Sequence, residues 1–139
     1  MVKNINNFNN MKVLLADDSQ LILDRLQELL HVYKDAEIIG SLKNGSDALE
    51  AIRALEPDLV IIDINMPGLN GLQVLDIIKK EDHKTKFIVL TFYATDYYRK
   101  KAIKLGTDYF FSKSDDFEKV SVVVNNLLIQ ESNNNLIMN

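Results

Sequence analysis

A chain of 139 residues that is 47% hydrophobic, 26% charged and carries a formal charge of −4 has the size and balance of one ordinary globular domain. A domain of this length buries about 68–70% of its unfolded surface, so one core suffices without covalent staples. The absence of cysteine excludes a disulfide framework, a thiolate zinc site and thiol catalysis, and the acidic balance argues against a basic nucleic-acid footprint.

Residues 1–10, MVKNINNFNN, hold five Asn and no signal-peptide core, and read as a polar tail. Lys12–Ala16 reads as a strand that stops at Asp17-Asp18-Ser19. Leu21–Tyr33 follows with Ile22, Leu26, Leu29, Leu30 and Tyr33 on one helical face. Glu37–Gly40 is a weak strand, and Ser46–Leu55 a helix that Pro57 prevents from continuing. Asp58–Ile62 is a continuous aliphatic run of the kind buried on both faces of a parallel sheet. It ends at Asp63 and enters a turn-rich loop, Ile64–Gly71, containing Met66-Pro67-Gly68.

Gly71–Lys80 is helical, with Leu75 and Ile78 inward, and Lys86–Leu90 is a buried strand ending at Thr91. Thr95–Leu105 is a helix closed by Gly106, and Tyr109–Ser112 a fifth strand leading to Lys113. The last helix spans Asp116–Ile129 through Phe117, Val120, Val124 and Leu127, and residues 131–139 read as a second polar tail without helical period. The globular part is thus 11–130. The longest aliphatic stretches, Leu59–Ile62 and Phe87–Leu90, fall far short of the roughly 18 residues needed to span a bilayer, so the expected location is cytoplasmic with no membrane contact.

Five successive strand–helix units predict an α/β fold, an open doubly wound five-stranded parallel sheet with five helices. Five strands are too few for an eightfold barrel. In such a sheet ligands bind beyond the carboxyl ends of the strands. Standing there are Asp17 and Asp18 after strand one, Asp63 after strand three, Thr91 at strand four and Lys113 after strand five. Three converging carboxylates raise one another's pKa unless a hard cation relieves them, and Mg²⁺ (or Mn²⁺) suits few carboxylates plus water and a phosphate oxygen. Together with Lys113, such an ion neutralises the rim and lets a phosphoryl group enter. One carboxylate then serves as nucleophile, while Thr91 and Lys113 stabilise the transferring oxygens.

Each residue also has a plainer reading. Asp17-Asp18-Ser19 suits a helix cap, Asp63 a turn, Thr91 a strand end, Lys113 a solvated surface and Phe110 a core. His31 and His83 show no ligand spacing, and Arg99-Lys100-Lys101 with Lys104 reads as a solvated helix face. Co-occurrence at the strand ends favours the chemical reading.

At these residues the chain resembles the response-regulator receiver family, over about Met11 to Ile129. The matching pieces are Ala16-Asp17-Asp18-Ser19, then Asp63-Ile64-Asn65-Met66-Pro67-Gly68-Leu69-Asn70-Gly71, then Leu90-Thr91, then Gly106-Thr107-Asp108-Tyr109-Phe110-Phe111-Ser112-Lys113. The resemblance implies a flavodoxin/CheY-like strand order, 2-1-3-4-5, and a receiver in two-component signalling, and the 139-residue length leads to the expectation that it stands alone. It implies Asp63 as phosphoacceptor, Asp17 and Asp18 as metal-site acids with the Asn65 backbone carbonyl completing the ligand set, Thr91 as switch hydroxyl, Lys113 as phosphate-pairing lysine and Phe110 as switch aromatic.

It further implies a histidine kinase, phosphotransfer protein or small phosphodonor upstream. A downstream protein target would meet the surface of helix four, strand five and helix five, where Tyr97, Tyr98 and Arg99 are candidate contacts. The receiver is expected to be a monomer or weak phosphorylation-dependent dimer, without direct DNA binding and without multiple-turnover enzyme activity. The alternatives are a phospho-independent adaptor and a small phosphohydrolase. The sequence holds none of G-x-x-x-x-G-K-[ST], G-x-G-x-x-G or G-x-S-x-G, and Asp63-Ile64-Asn65 lacks the second acid of an Asp-x-Asp phosphatase.

Three departures carry expectations of their own. Lys113 precedes Ser114 where the family usually has proline after a cis bond, and a cis Lys113–Ser114 bond is expected despite its cost of about 3–4 kcal/mol. Phe92 follows Thr91 where the family favours Ala or Gly, predicting slow exchange of attacking water at Asp63. Phe110 has no hydroxyl, so a switch using a phenolic hydrogen bond is lost there.

Overall fold

In the computed structural model the described residues are 10–81 and 84–138, with 135–138 described by backbone alone. Residues 1–9 of the expected amino-terminal tail, and His83, lie outside them. The alternation read from the sequence becomes β1 (Met11–Ala16), α1 (Gln20–Leu30), β2 (Ala36–Leu42), α2 (Gly45–Leu55), β3 (Leu59–Ile62), α3 (Gly71–Glu81), β4 (Lys86–Thr91), α4 (Asp96–Lys104), β5 (Tyr109–Ser112) and α5 (Lys119–Met138). The strands pair in parallel in the order β2-β1-β3-β4-β5, the expected doubly wound sheet.

Strand alternation divides the core in two. Val13, Leu15, Leu59, Ile61, Ile88 and Leu90 face α1 and α5, while Leu14, Ala16, Val60, Ile62, Phe87 and Val89 face α2, α3 and α4. Both layers are fully apolar, so β1, β3 and β4 are held rigidly and their carboxyl ends become a fixed platform.

Local chemistry sets the helix starts. The Ser19 hydroxyl accepts from Ile22 N–H, Asn44 Oδ1 from Asp47 N–H and the Thr95 hydroxyl from Tyr98 N–H, while Asn70 and Gln73 cap one another reciprocally at α3. Glu56 ends α2 at φ 48, and Gly106 follows α4 at φ 103, the left-handed conformation glycine adopts freely.

Several boundaries differ from the sequence reading. The first helix ends at Leu30 rather than Tyr33, because Tyr33 N–H turns back to the Leu30 carbonyl. β2 extends two residues past Gly40, since pairing with β1 supplies hydrogen bonds that weak local propensity does not. The last helix starts at Lys119, because Asp116 Oδ2 accepts from Ser112 N–H and holds 116–118 in a turn. It then continues through residues 131–138, expected as a tail. Once a helix is nucleated each further residue adds a hydrogen bond, and Asn costs it little at exposed positions such as 133 and 134. Among the described residues no helix is long and apolar enough to cross a membrane.

Candidate functional site

The apolar strands bring four of the expected residues to one cleft at the carboxyl end of the sheet. Carboxylate oxygens of Asp17, Asp18 and Asp63 all lie within 4.8 Å of one another. Asp17 and Asp63 are buried, and Asp18 is exposed at the rim. Lys113 is buried between them, its Nζ 2.6 Å from Asp17 Oδ2 and 3.1 Å from Asp63 Oδ2. Asp17 Oδ1 accepts from the Ser19 backbone N–H at 2.9 Å, so one residue ties the cleft to the start of α1.

Asp63 is placed by close backbone approach. Its own N–H donates to the Ala16 carbonyl, fixing it beside β1. At Gly71 a Cβ would sit 2.0 Å from the Asp63 carbonyl oxygen, so only glycine allows α3 to begin there and Gly71 N–H to reach the Ile64 carbonyl at 2.8 Å. Pushing α3 away would move the loop that carries Asp63.

The electrostatics single out the same residue. Burial raises the Asp63 pKa most; the Lys113 charge opposes this, Asp17 reinforces it, and the Lys113 hydrogen bond and the Asn65 backbone amide oppose it more weakly. Asp63 Oδ1 is a buried acceptor without a hydrogen-bond partner. An acceptor in that state costs stability and presents a lone pair to an incoming cation or electrophile.

Thr91 is fully buried at the end of β4, its hydroxyl oxygen accepting from Tyr93 N–H at 3.0 Å and its proton free to be donated elsewhere. Phe110 is buried in the layer beneath α4, with the Arg99 guanidinium 4.8 Å from its ring centre and Arg99 Nη1 donating to the Phe110 carbonyl. Tyr97 is exposed and packs edge-on against Tyr98. Asn65 is exposed on the loop after Asp63, and His31 is exposed at the end of α1. Phe92 is 60% exposed, with the Lys113 ammonium 5.0 Å from its ring centre.

One expectation is corrected. No cis peptide bond occurs among the described residues, so Lys113–Ser114 is trans. Ser112 makes this arrangement cheap: its buried hydroxyl accepts from Ser114 N–H and Asp115 N–H, closing a tight turn, while Lys113 N–H donates to the Thr91 carbonyl. Ser112 and Asp116 were missed as supports of the cleft. The cluster Ser112-Lys113-Ser114-Asp115-Asp116 carries the signal, because short hydroxyl and carboxylate side chains bond backbone amides two to four residues away.

The response regulator receiver domain family matches residues 13–125. The chain is 34% identical over 111 residues to "Uncharacterized transcriptional regulatory protein YvfU" of Bacillus subtilis (strain 168), covering 80% of this chain and 56% of that protein. It is 31% identical to "Transcriptional regulatory protein DesR" of the same organism, covering 85% and 58%. The chain therefore spans little over half the length of these curated relatives. Among solved structures, a DNA-binding response regulator of the LuxR family from Staphylococcus aureus superposes with a TM-score of 0.77 at 30% identity, over 85% of this chain and 98% of that one. The response regulator domain of Thermotoga maritima CheB does so at 0.76 and 27%, over 89% and 97%. Motifs, topology and matched span agree: the chain belongs to the response regulator receiver domain family.

Proposed function

We propose that Asp63 accepts a phosphoryl group and that this covalent change is the signal. The observation carrying the reading is the buried, unpartnered Asp63 Oδ1 beside Lys113, Asp17 and Asp18. A carboxylate oxygen of Asp63 attacks the donor phosphorus, the donor's bond to phosphorus breaks, and the leaving group departs with that bonding pair, forming an acyl phosphate. Lys113, already 3.1 Å from Asp63, pairs with the transferred oxygens. The Thr91 hydroxyl donates its proton to them while still accepting from Tyr93 N–H.

The donor set fits Mg²⁺ (or Mn²⁺). It is all oxygen, comes from Asp17, Asp18, Asp63 and the Asn65 backbone carbonyl, and includes one carboxylate oxygen with no bond to lose. Bound there, the ion supplies charge neutralisation for the incoming phosphate.

Phosphorylation then draws Thr91 toward the cleft, and Phe110 fills the vacated space beneath α4. The surface of α4, β5 and α5 changes with it and meets a downstream protein, Tyr97 and Arg99 being exposed or half-buried there. The upstream partner is a histidine kinase or phosphotransfer protein in the cytoplasm. The receiver region itself is a monomer or weak phosphorylation-dependent dimer, contacts no DNA, and acts as an acceptor rather than as a multiple-turnover enzyme. Mass spectrometry after treatment with acetyl phosphate and Mg²⁺ tests the assignment. One phosphoryl group is expected on the wild type and none on Asp63→Asn. A label that persists in Asp63→Asn overturns it, and an unlabelled wild type favours a phospho-independent adaptor.

A further inference from the structure

Lys113 occupies the cleft as its own counter-ion. Its ammonium bridges Asp17 and Asp63, and Asp17 has no oxygen left unengaged, since Ser19 N–H takes the other. A divalent cation entering beside Asp17 and Asp63 repels that ammonium, which must give up contact with at least one carboxylate. It cannot move out into bulk water without uncovering a buried stem, because the Lys113 side chain is only 2% exposed. A group at hand that can hold the displaced cation without competing for the metal is the Phe92 ring. Nζ already lies over its face, 5.0 Å from the centre, a cation–π contact that tightens as the ammonium leaves a carboxylate. Phe92 is itself 60% exposed, so core packing does not account for the ring.

We propose that Phe92 is a positioning residue for Lys113: its ring is the seat onto which the ammonium withdraws when a divalent cation binds, and it thereby strengthens metal binding without touching the metal. The proposal rests on the reading of Asp17, Asp18 and Asp63 as a metal site. An aliphatic side chain of similar bulk has no negative π-face, so in its presence Lys113 stays on Asp17 and Asp63 and competes with the ion.

The test is titration of the whole chain with Mn²⁺, the free ion followed by electron paramagnetic resonance. Phe92→Leu is expected to weaken Mn²⁺ binding about fivefold, the equivalent of one partly desolvated cation–π contact. Phe92→Tyr keeps the ring and is expected to stay within about twofold of wild type. In a Lys113→Gln background, where no ammonium needs a seat, Phe92→Leu is expected to change affinity by less than about twofold. Unchanged or tighter binding in Phe92→Leu overturns the proposal, as does a loss that persists in the Lys113→Gln background or that Phe92→Tyr shares. Such results leave the metal site standing, whereas a wild type that binds no Mn²⁺ overturns both readings. Since position 92 is exposed, the variants are expected to unfold at the wild-type urea midpoint.

Discussion

The two ends of the sheet use the same side-chain types to opposite effect. At the amino-terminal end, Asp108 stands before β5 and its Oδ2 accepts from Lys79 Nζ at 3.1 Å and from Phe87 N–H at 2.8 Å, while Lys79 also donates to the Thr85 carbonyl. At the carboxyl-terminal end, Asp63 also meets one lysine at 3.1 Å, yet its Oδ1 is buried without a partner and its pKa is raised, chiefly by burial. Asp108 places one oxygen on a backbone amide and a lysine together and so serves the architecture, joining β4, β5 and α3. A carboxylate left short of partners costs stability and keeps its lone pair available. The candidate site lies at the end of the sheet where the bonding is incomplete.

The largest effect expected from breaking this contrast comes from Lys113. Lys113→Met leaves Asp17 and Asp63 buried without their cation and is expected to cost about 3 kcal/mol at neutral pH. Millimolar Mg²⁺ is expected to restore part of that loss, because a metal replaces the missing charge. Urea unfolding with and without Mg²⁺ measures both, and a deficit indifferent to Mg²⁺ would break the reading of this end as a cation site. At the other end, Asp108→Ala strands Phe87 N–H and Lys79 and is expected to cost about 2 kcal/mol. That cost is expected to ignore Mg²⁺ and to leave acetyl phosphate labelling unchanged. If Asp108→Ala impaired labelling as strongly as it impaired stability, the separation of the two ends would fail.

The sequence carried one end of this comparison far better than the other. Asp17, Asp63 and Thr91 were legible because each stands at the end of an aliphatic run, and a run buried on both faces leaves its polar terminus nowhere to go but the rim. Lys113 follows the short aromatic strand Tyr109–Ser112. Asp108 lies within the stretch Gly106–Lys113, but its partners Lys79 and Phe87 lie 29 and 21 residues away, and no local pattern records such contacts. The trans bond at Lys113–Ser114 and the turn at 112–116 were missed for a related reason. Ser112 and Asp116 act through bonds to neighbouring backbone amides, which compete silently with the helix that Phe117, Val120 and Val124 suggest. The extension of α5 past Ile129 had no apolar stripe to announce it.

A smaller effect comes from relieving the open end rather than breaking it. Burial and the Asp17 charge raise the Asp63 pKa, so the folded protein holds the Asp63 proton more tightly than the unfolded chain does. Stability from this group is therefore greatest in acid and is lost as pH rises through the raised value. Asp63→Asn removes the buried charge and is expected to stabilise the protein by about 1 kcal/mol at neutral pH. That gain is expected to shrink in acid, where wild-type Asp63 is already neutral. A destabilised Asp63→Asn at neutral pH would mean that the Lys113 contact outweighs desolvation, and the cost assigned to the open end would be wrong.

Asp116 gives the smallest effect and the opposite sign, although it stands only three residues beyond Lys113. Its pKa is lowered, first by the hydrogen bond from Ser112 N–H, then by the Lys119 side chain, with burial opposing and the charges of Lys119 and Arg99 adding to the shift. A lowered carboxyl stabilises the fold at pH above its ordinary range and loses that contribution as pH falls through its folded value. Asp116→Asn is expected to be slightly less stable than wild type at about pH 7, and to converge with it only as pH falls below the lowered Asp116 value. Asp63→Asn converges from the other side and at higher pH, as pH falls through the raised Asp63 value. Urea midpoints for the two variants from neutral pH into acid thus distinguish a carboxylate that holds the turn from one that is held by it. Parallel curves of the same sign would place both residues in a single structural role.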